Sequence, residues 1–416
     1  MRRWYVILTL GLCATIVGAQ EGGGPATGGS CVSCHLELDE PELREPAELF
    51  AGDVHNRGGL GCVLCHGGDA KAEEVDEAMD PDRGFRGAPA AGEIPVLCGS
   101  CHGDAAFIKR FDPNLPTDQW DQYRTSIHGM RLAEGDTKVA TCISCHGVHG
   151  IMAASDPRSS VYPTQVVATC AGCHADSELM GGYGISADQV SRYRRSVHFL
   201  ALTEGNDLSA PTCNDCHGSH GATPPGVDSI SNVCGACHVM NMELFLASPH
   251  AEAFSAMELA ACEACHGNHE VLLPNDDWLG VDEESVCGRC HERDDTGGEV
   301  ALALRALMDR GAGVLLNARS KVDDAERAGM LMEDSAVALE EAHQELVTAR
   351  TQVHLVSVAA VEEHTSAALE AAESALADAA EAREEIRFRR SGLLVALVFI
   401  LLAIVALVLK IKQLER

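Results

Sequence analysis

YRTSIHGMRLAEGDTKVATCISCHGVHG, residues 123–150, holds the pattern that recurs through most of residues 31–291. An aromatic residue, Tyr123, is followed three positions later by the small polar Ser126, and two positions after that by His128. Cys142-x-x-Cys145-His146 comes next, and a further histidine, His149, lies three positions beyond it. The order returns in YRRSVHFLALTEGNDLSAPTCNDCHGSHG, residues 193–221, as Tyr193, Ser196, His198, Cys213, Cys216, His217 and His220. Two more copies start at Phe50/Asp53/His55 and Phe245/Ser248/His250, and the last continues to Cys262, Cys265, His266 and His269. Each of the four units closes with another Cys-x-x-Cys-His, at Cys98, Cys170, Cys234 or Cys287, and a solitary copy at Cys31 precedes them all. This is an internal repeat of irregular period.

Nine pentapeptides result: Cys31/Cys34/His35, Cys62/Cys65/His66, Cys98/Cys101/His102, Cys142/Cys145/His146, Cys170/Cys173/His174, Cys213/Cys216/His217, Cys234/Cys237/His238, Cys262/Cys265/His266 and Cys287/Cys290/His291. A random chain of this length and composition would contain on the order of 0.04 of them, so chance is excluded. The spacing is that of c-type haem attachment, in which two thioether bonds fix the porphyrin and the adjacent histidine becomes the proximal iron ligand. Zinc sites and disulfides require no histidine after every second cysteine. Nine covalently bound haem c groups (iron) are therefore expected.

The iron's opposite face sets a second count. Of 19 histidines, nine are proximal, and the seven repeat histidines His55, His128, His149, His198, His220, His250 and His269 are expected as distal ligands. His149 cannot reach the far face of the haem held by His146 three residues before it, so it should serve a neighbour and interlock the chain. Two irons remain. Their candidates are His343, His354 and His364 on the C-terminal helices; His343 and His364 share a heptad position, which would aim both at a packed seam, and His354 lies off it. Met79, Met130, Met152, Met180, Met240 and Met242 are alternative ligands that would raise a haem's potential. An open iron, and hence a catalytic site, is the third option.

Composition agrees with a haem-filled interior. Aromatic content is 4% with 40 Gly and 15 Pro, too poor for a conventional apolar core over residues 20–295. The fold class expected is mainly α and irregular: short helices between Gly/Pro turns around the haems, then a long helical segment and one transmembrane helix. Residues 31–291 give 261 positions to nine motifs, about 29 residues each, so the macrocycles must lie close together. The segment DEAMDPDRGFRGAPAAGEIP lengthens the first unit and reads as a surface loop. Formal charge is −31, or −33 without Arg2 and Arg3, which makes nucleic acid and anionic membrane surfaces poor partners.

Domain organisation follows from the flanks. Residues 1–19 read as a secretory signal, with Arg2 and Arg3, an apolar middle and Val17-Gly18-Ala19; Cys13 falls inside it. Residues 20–30 form a flexible leader and 31–295 the nonahaem domain. From 296 to 390 the chain is rich in Ala, Leu and Glu, with a seam through Leu315, Ala318, Val322, Ala325, Met332, Ala336, Leu339, Leu346 and Val353. Gly311, Gly313 and Gly329 are the weak points at which it could fold back as a hairpin packed on the haem region. The long seam also permits homo-oligomers through coiled-coil contacts. Residues 391–410 form the transmembrane helix, carrying an uncharged run of 18 positions from 392 to 409, and 411–416 a cytoplasmic tail.

The two quoted units resemble exported multihaem c-type cytochromes with doubled haem motifs, in the style of NapC/NirT-like quinol-linked cytochromes and decahaem conduits. The resemblance covers about residues 31–291. It implies a bis-histidine haem wire at the periplasmic face of a bacterial inner membrane, fed by a quinol-oxidising or cytochrome b-type membrane partner and serving periplasmic redox proteins or outer-membrane acceptors. The anchor here is C-terminal rather than N-terminal, and the Ala-rich segment has no counterpart in that family. The competing reading is a multihaem reductase or oxidase of a small nitrogen or sulfur compound at an open haem; no Cys-x-x-Cys-Lys variant marks one.

Overall fold

The computed structural model describes residues 29–225 and 230–415. The expected signal peptide, and all but the last two residues of the leader, lie outside the described residues. The described residues are mainly helical and contain no strand. They divide into two compact units: one runs up to Cys170 with Ser219–Ala222, the other comprises Ala171–Gly218 and the residues from Thr223 onward.

Short helices arise because each pentapeptide occupies about one turn and is then stopped. Cys62–His66, Cys142–His146, Cys213–His217 and Ala261–His266 each end at a Gly with positive φ: Gly67 at 71°, Gly147 at 74°, Gly218 at 85° and Gly267 at 72°. Only glycine adopts that conformation without strain, so the third letter of each CHG triplet ends the helix and turns the chain towards the next histidine. At the other end, Thr141 and Thr212 form capping boxes with Ser144 and Asp215.

The second unit ends in three long helices: α1 (Thr296–Arg327), α2 (Glu333–Gln352) and α3 (Val358–Leu414). The hairpin expectation is thus corrected to two turns. The first comes at Gly329, with φ 88°. The second, Val353–Leu355 followed by left-handed Val356, has no glycine or proline to announce it. Gly311 and Gly313 are not breaks. Gly311 lies inside α1, where a Cβ would come 2.6 Å from Leu346 Cδ2, so it admits the α2 side chain.

Ser335 Oγ donates to Asp378 at 3.0 Å and His364 pairs with Glu345 at 2.7 Å, which fixes α2 and α3 as antiparallel. The α3 seam is Val361, Thr365, Ala368, Ala372, Ala375, Ala379 and Ala382, a four-three alternation of small residues that lets the backbones approach closely. The expected seam holds through Leu315, Ala318, Val322, Ala325 and Met332, but past the first turn the buried positions include Ser335 while Ala336 is exposed. The turn resets the helical phase, which a single running heptad cannot follow.

α3 has no interruption where the domain boundary at 390 was expected. Residues 387–415 are exposed throughout, and this one helix is long and apolar enough to cross a membrane. At the bundle's other end, Asp295 caps α1 through Gly298 N at 2.8 Å, Arg350 makes a bidentate pair with Asp276 at 2.9 and 2.8 Å, and Arg305 reaches Asp277 at 2.6 Å. Leu279 joins the bundle core. The bundle is therefore tied to the segment that joins the last two cysteine motifs.

Leu346 is 1% exposed in the middle of that core. Leu346→Ala should cost about 2–5 kcal/mol, and the exposed Val337→Ala within about 0.5 kcal/mol, in chemical denaturation of the detergent-solubilised protein followed by circular dichroism.

Candidate functional site

The aromatic-x-x-Ser-x-His motif is a helix start. Asp53, Ser126, Ser196 and Ser248 are all buried N-caps, opening Val54–Arg57, Ile127–Ala133, Val197–Thr203 and Pro249–Ala256. Ser126 Oγ accepts from Gly129 N at 3.0 Å and donates to Tyr123 O at 2.7 Å; Ser196 and Ser248 accept from Phe199 N and His250 N. Capping fixes the first turn, and His55, His128, His198 and His250 all occupy its second position. The aromatic residue reaches forward: Tyr123 Oη donates to Ala140 O at 2.8 Å and Tyr193 Oη to Pro211 O at 2.6 Å, two residues ahead of the next pentapeptide. Burial raises both phenols, Tyr123 to about 12, so they remain donors.

Successive units are also stitched through the backbone. The first helical residue of each start donates to the chain two residues past the second histidine of the next unit: Val54 N to Ile151 O at 2.8 Å, Ile127 N to Ala222 O at 3.1 Å and Val197 N to Val271 O at 2.8 Å. The fourth unit has no successor. At its equivalent position stands Pro249, which has no N–H to satisfy.

The consequence is a series of histidine pairs. His55 lies opposite His102 with ring centres 6.1 Å apart, His66 opposite His149 at 5.9 Å and His146 opposite His220 at 6.0 Å, all in the first unit. In the second, His198 faces His238 at 6.3 Å, His217 faces His269 at 5.9 Å, His250 faces His291 at 6.1 Å and His266 faces His354 at 6.0 Å. Each closing pentapeptide described in these pairs meets the histidine that opens its own unit. Each middle pentapeptide meets the second histidine of the following unit, and the last meets His354.

Of the three candidates His343, His354 and His364, His354 faces a motif histidine, and no facing ring is seen for the other two among the described residues. His364 hydrogen-bonds Glu345, and His343 is half-buried on α2. His354 sits in the turn outside the seam, where Nδ1–H donates to Thr351 O at 2.9 Å. Heptad phase identifies what faces the bundle interior, whereas His354 faces the neighbouring layer from the bundle's end. The surface-loop expectation misses a similar contact, since Gly87 O within that loop accepts from His66 Nδ1 at 2.8 Å.

Nδ1 is anchored across the series: His35 to Leu43 O at 2.8 Å, His217 to Thr223 O at 3.2 Å, His291 to Asp295 at 3.1 Å and His55 to Asp53 at 2.9 Å. An imidazole that donates from Nδ1 presents an unprotonated Nε2, the form a metal binds. Burial pushes His102, His146, His149, His174, His198, His220, His250, His266 and His269 below the ordinary histidine range. Burial opposes ionisation of Asp53, but hydrogen bonds from His55 and Ile151 outweigh it and hold the carboxyl low. His149 itself has φ 61°, a conformation costing roughly 1–2 kcal/mol in a non-glycine residue.

The cysteines form neighbouring sets in chain order. Burial first, then the adjacent sulfurs, push up Cys62 beside Cys31, Cys65 beside Cys98 and Cys101, and Cys265 beside Cys287 and Cys290; at Cys216 burial is followed by Asp215 and then by Cys213 and Cys237. The Cys98 thiol donates to Cys142 and Cys234 to Cys262, raising each donor and lowering each acceptor. The two cysteines of a motif differ in exposure. The first cysteine of each motif is half-buried, but Cys34, Cys65, Cys145, Cys173, Cys216, Cys237 and Cys290 are exposed. The second cysteine stands where its helical turn ends and the chain leaves, as Cys173 does at the last but one residue of Pro163–His174. Cys170 and Cys173 nonetheless lie three apart on one helical face, the spacing at which two sulfurs can serve one porphyrin. Among the described residues no group of three or more His, Cys, Asp and Glu is assembled that would hold a metal ion directly.

The chain is 27% identical over 220 residues to the C-type polyheme cytochrome OmcC of Geobacter sulfurreducens, covering 47% of this chain and 27% of that protein. It is 28% identical over 137 residues to OmcB of the same organism, covering 32% of this chain and 16% of that protein. The similarity is to polyhaem c-type cytochromes. This chain spans about a quarter or less of the length of those relatives. No family model matches, and no solved structure matches. The similarity supports covalently bound haem c as the cofactor and electron transfer as the role. The paired rings fit that cofactor: an iron bonded at about 2.0 Å to Nε2 of two imidazoles, each nitrogen roughly 1.1 Å from its ring centre, separates the centres by about 6.2 Å.

Two outcomes follow from the caps and the buried rings. Ser126→Ala and Ser196→Ala should each lower stability by about 1 kcal/mol, and by the sum together, in denaturant titrations. The depressed histidines, buried here and suited to binding a metal through Nε2, take up fewer protons folded than unfolded, so their contribution is complete above about pH 6.5 and declines as pH falls below it. The denaturation midpoint should therefore drop between about pH 7.5 and about pH 5.5.

Proposed function

We propose that the chain is a membrane-anchored nonahaem cytochrome c that carries electrons at the periplasmic face of the inner membrane, between a quinol-linked membrane partner and periplasmic or outer-membrane acceptors. The observation that carries this reading is the sevenfold recurrence of one ring separation, 5.9–6.3 Å, between a histidine of a Cys-x-x-Cys-His motif and a histidine from elsewhere. The nine motif histidines are the proximal ligands. His55, His149, His198, His220, His250, His269 and His354 are distal ligands; His128, at the same place in its unit as His55, has the same role.

Haem bound here supplies a one-electron iron couple between two strong ligands. The protein holds imidazoles such as His35, His66, His217 and His354 by an Nδ1–H bond to a backbone carbonyl, which keeps Nε2 unprotonated. Neighbouring motif cysteines, such as Cys65 beside Cys98 in one unit and Cys234 beside Cys262 in the other, would bring the macrocycles they hold close together, as electron transfer requires.

The anchor supports the need for a donor protein. α3 runs unbroken from Val358, four residues past His354, and the 34 residues to the start of the apolar run at 392 rise about 50 Å at 1.5 Å per residue. The apolar run contains no histidine, so a quinol in the bilayer cannot pass electrons to the His266 haem without an intermediate protein.

His354→Ala should convert one low-spin iron of the oxidised full-length protein to high-spin in magnetic resonance and visible spectra, whereas His343→Ala and His364→Ala should leave the spectrum unchanged. An unchanged spectrum for His354→Ala would remove the bundle from the ligand set. Absence of haem from the purified protein would remove the whole reading.

A further inference from the structure

We propose that the first haem, attached at Cys31 and Cys34, is a ligand-binding centre whose iron is held by His35 on one side and takes a small neutral molecule, of the nitric oxide or hydroxylamine class, on the other. The inference rests on the haem assignment above and deepens it. All 19 histidines of the chain fall within the described residues. No histidine ring stands opposite His35, whose polar partner is the Leu43 carbonyl, 2.8 Å from Nδ1.

The repeat explains why. A closing motif receives the histidine that opens its own unit, as His102 receives His55, and a middle motif receives the second histidine of the next unit, as His66 receives His149. The Cys31 motif lies ahead of the first aromatic-x-x-Asp-x-His and belongs to neither class, so neither rule supplies a second ligand. Its proximal side is nonetheless built as the others are. Ser30 ties the helix to Ala70 O through its backbone N and Oγ, both at 2.9 Å, and the Leu43 contact leaves His35 Nε2 free for iron.

The surroundings select among ligands. Residues 37–48, ELDEPELREPAE, which include the carbonyl that holds His35, carry six carboxylates and one arginine. That field opposes nitrite and other anions and leaves neutral donors favoured. The centre is also wired, because Cys31 neighbours Cys62 and His35 lies within electrostatic range of His149.

The test is magnetic resonance of the oxidised full-length protein, before and after hydroxylamine, with the C31A/C34A variant alongside. The expected result is one high-spin iron in nine, abolished by hydroxylamine and missing altogether from C31A/C34A, which should lose one ninth of the haem. Wholly low-spin iron, as methionine or amine ligation would give, overturns the proposal, and so does a high-spin signal that survives in C31A/C34A. Nitrite binding as tightly as hydroxylamine would overturn the selectivity. If C31A/C34A does not accumulate, His35→Met keeps both thioethers: a shift of the high-spin signal supports the assignment and an unaltered one sinks it. Failure of the haem assignment itself reads differently, as loss of haem from every preparation.

Discussion

Each pair of facing imidazoles joins chain segments far apart in sequence: His66 to His149, His146 to His220, His217 to His269. The separation is too wide for the rings to hold one another and right for a bridging metal, so iron coordination would close loops of about 50–85 residues. Under the loop-entropy relation used for disulfides, loops of that size restrict the unfolded chain by about 4 kcal/mol each. A chain with so little aromatic content can then fold without a conventional core. This is also why the buried apolar residues of the cysteine-rich region are few and scattered, while those of the helical bundle form one continuous cluster.

The repeat was legible because its chemistry is local. Cap, histidine and CHG turn lie within short windows, and each has a distinct residue signature: Ser126 before His128, Gly147 after His146, a second histidine three positions on. Interlocking was legible too, since His149 is too near His146 to serve the same ring. His354 was not, because nothing local distinguishes it. Its role depends on a turn formed without glycine or proline, and on Asn241, Asp276 and Leu279 presenting the surface that the turn meets. The heptad pattern misdirected attention to His343 and His364, since periodicity reports a helix's long face and is silent about its end.

Repeating arrays need special ends, and this one has two different solutions. At the C-terminal end the missing next unit is replaced twice over. Pro249 removes the N–H that a following unit would have accepted, and His354 stands where a following unit's histidine would stand. Asp276 and Asp277 then draw Arg350 and Arg305 onto the same surface, so the bundle is held by charge as well as by the Leu279 contact. At the N-terminal end no such replacement is made: the Cys31 motif is added with its anchoring carbonyl but without a facing histidine.

The difference between the two ends bears on direction. Electrons move easily among centres whose ligands do not change, so the middle of a bis-histidine array has no preferred sense of flow, and polarity must come from its ends. One end is tied through His354 to a helix that continues without a break into an apolar run. The other carries a field of carboxylates around His35, which no histidine ring faces. On the proposals made above, the end tied to the helix would suit receiving electrons and the end with an exchangeable position would suit passing them on.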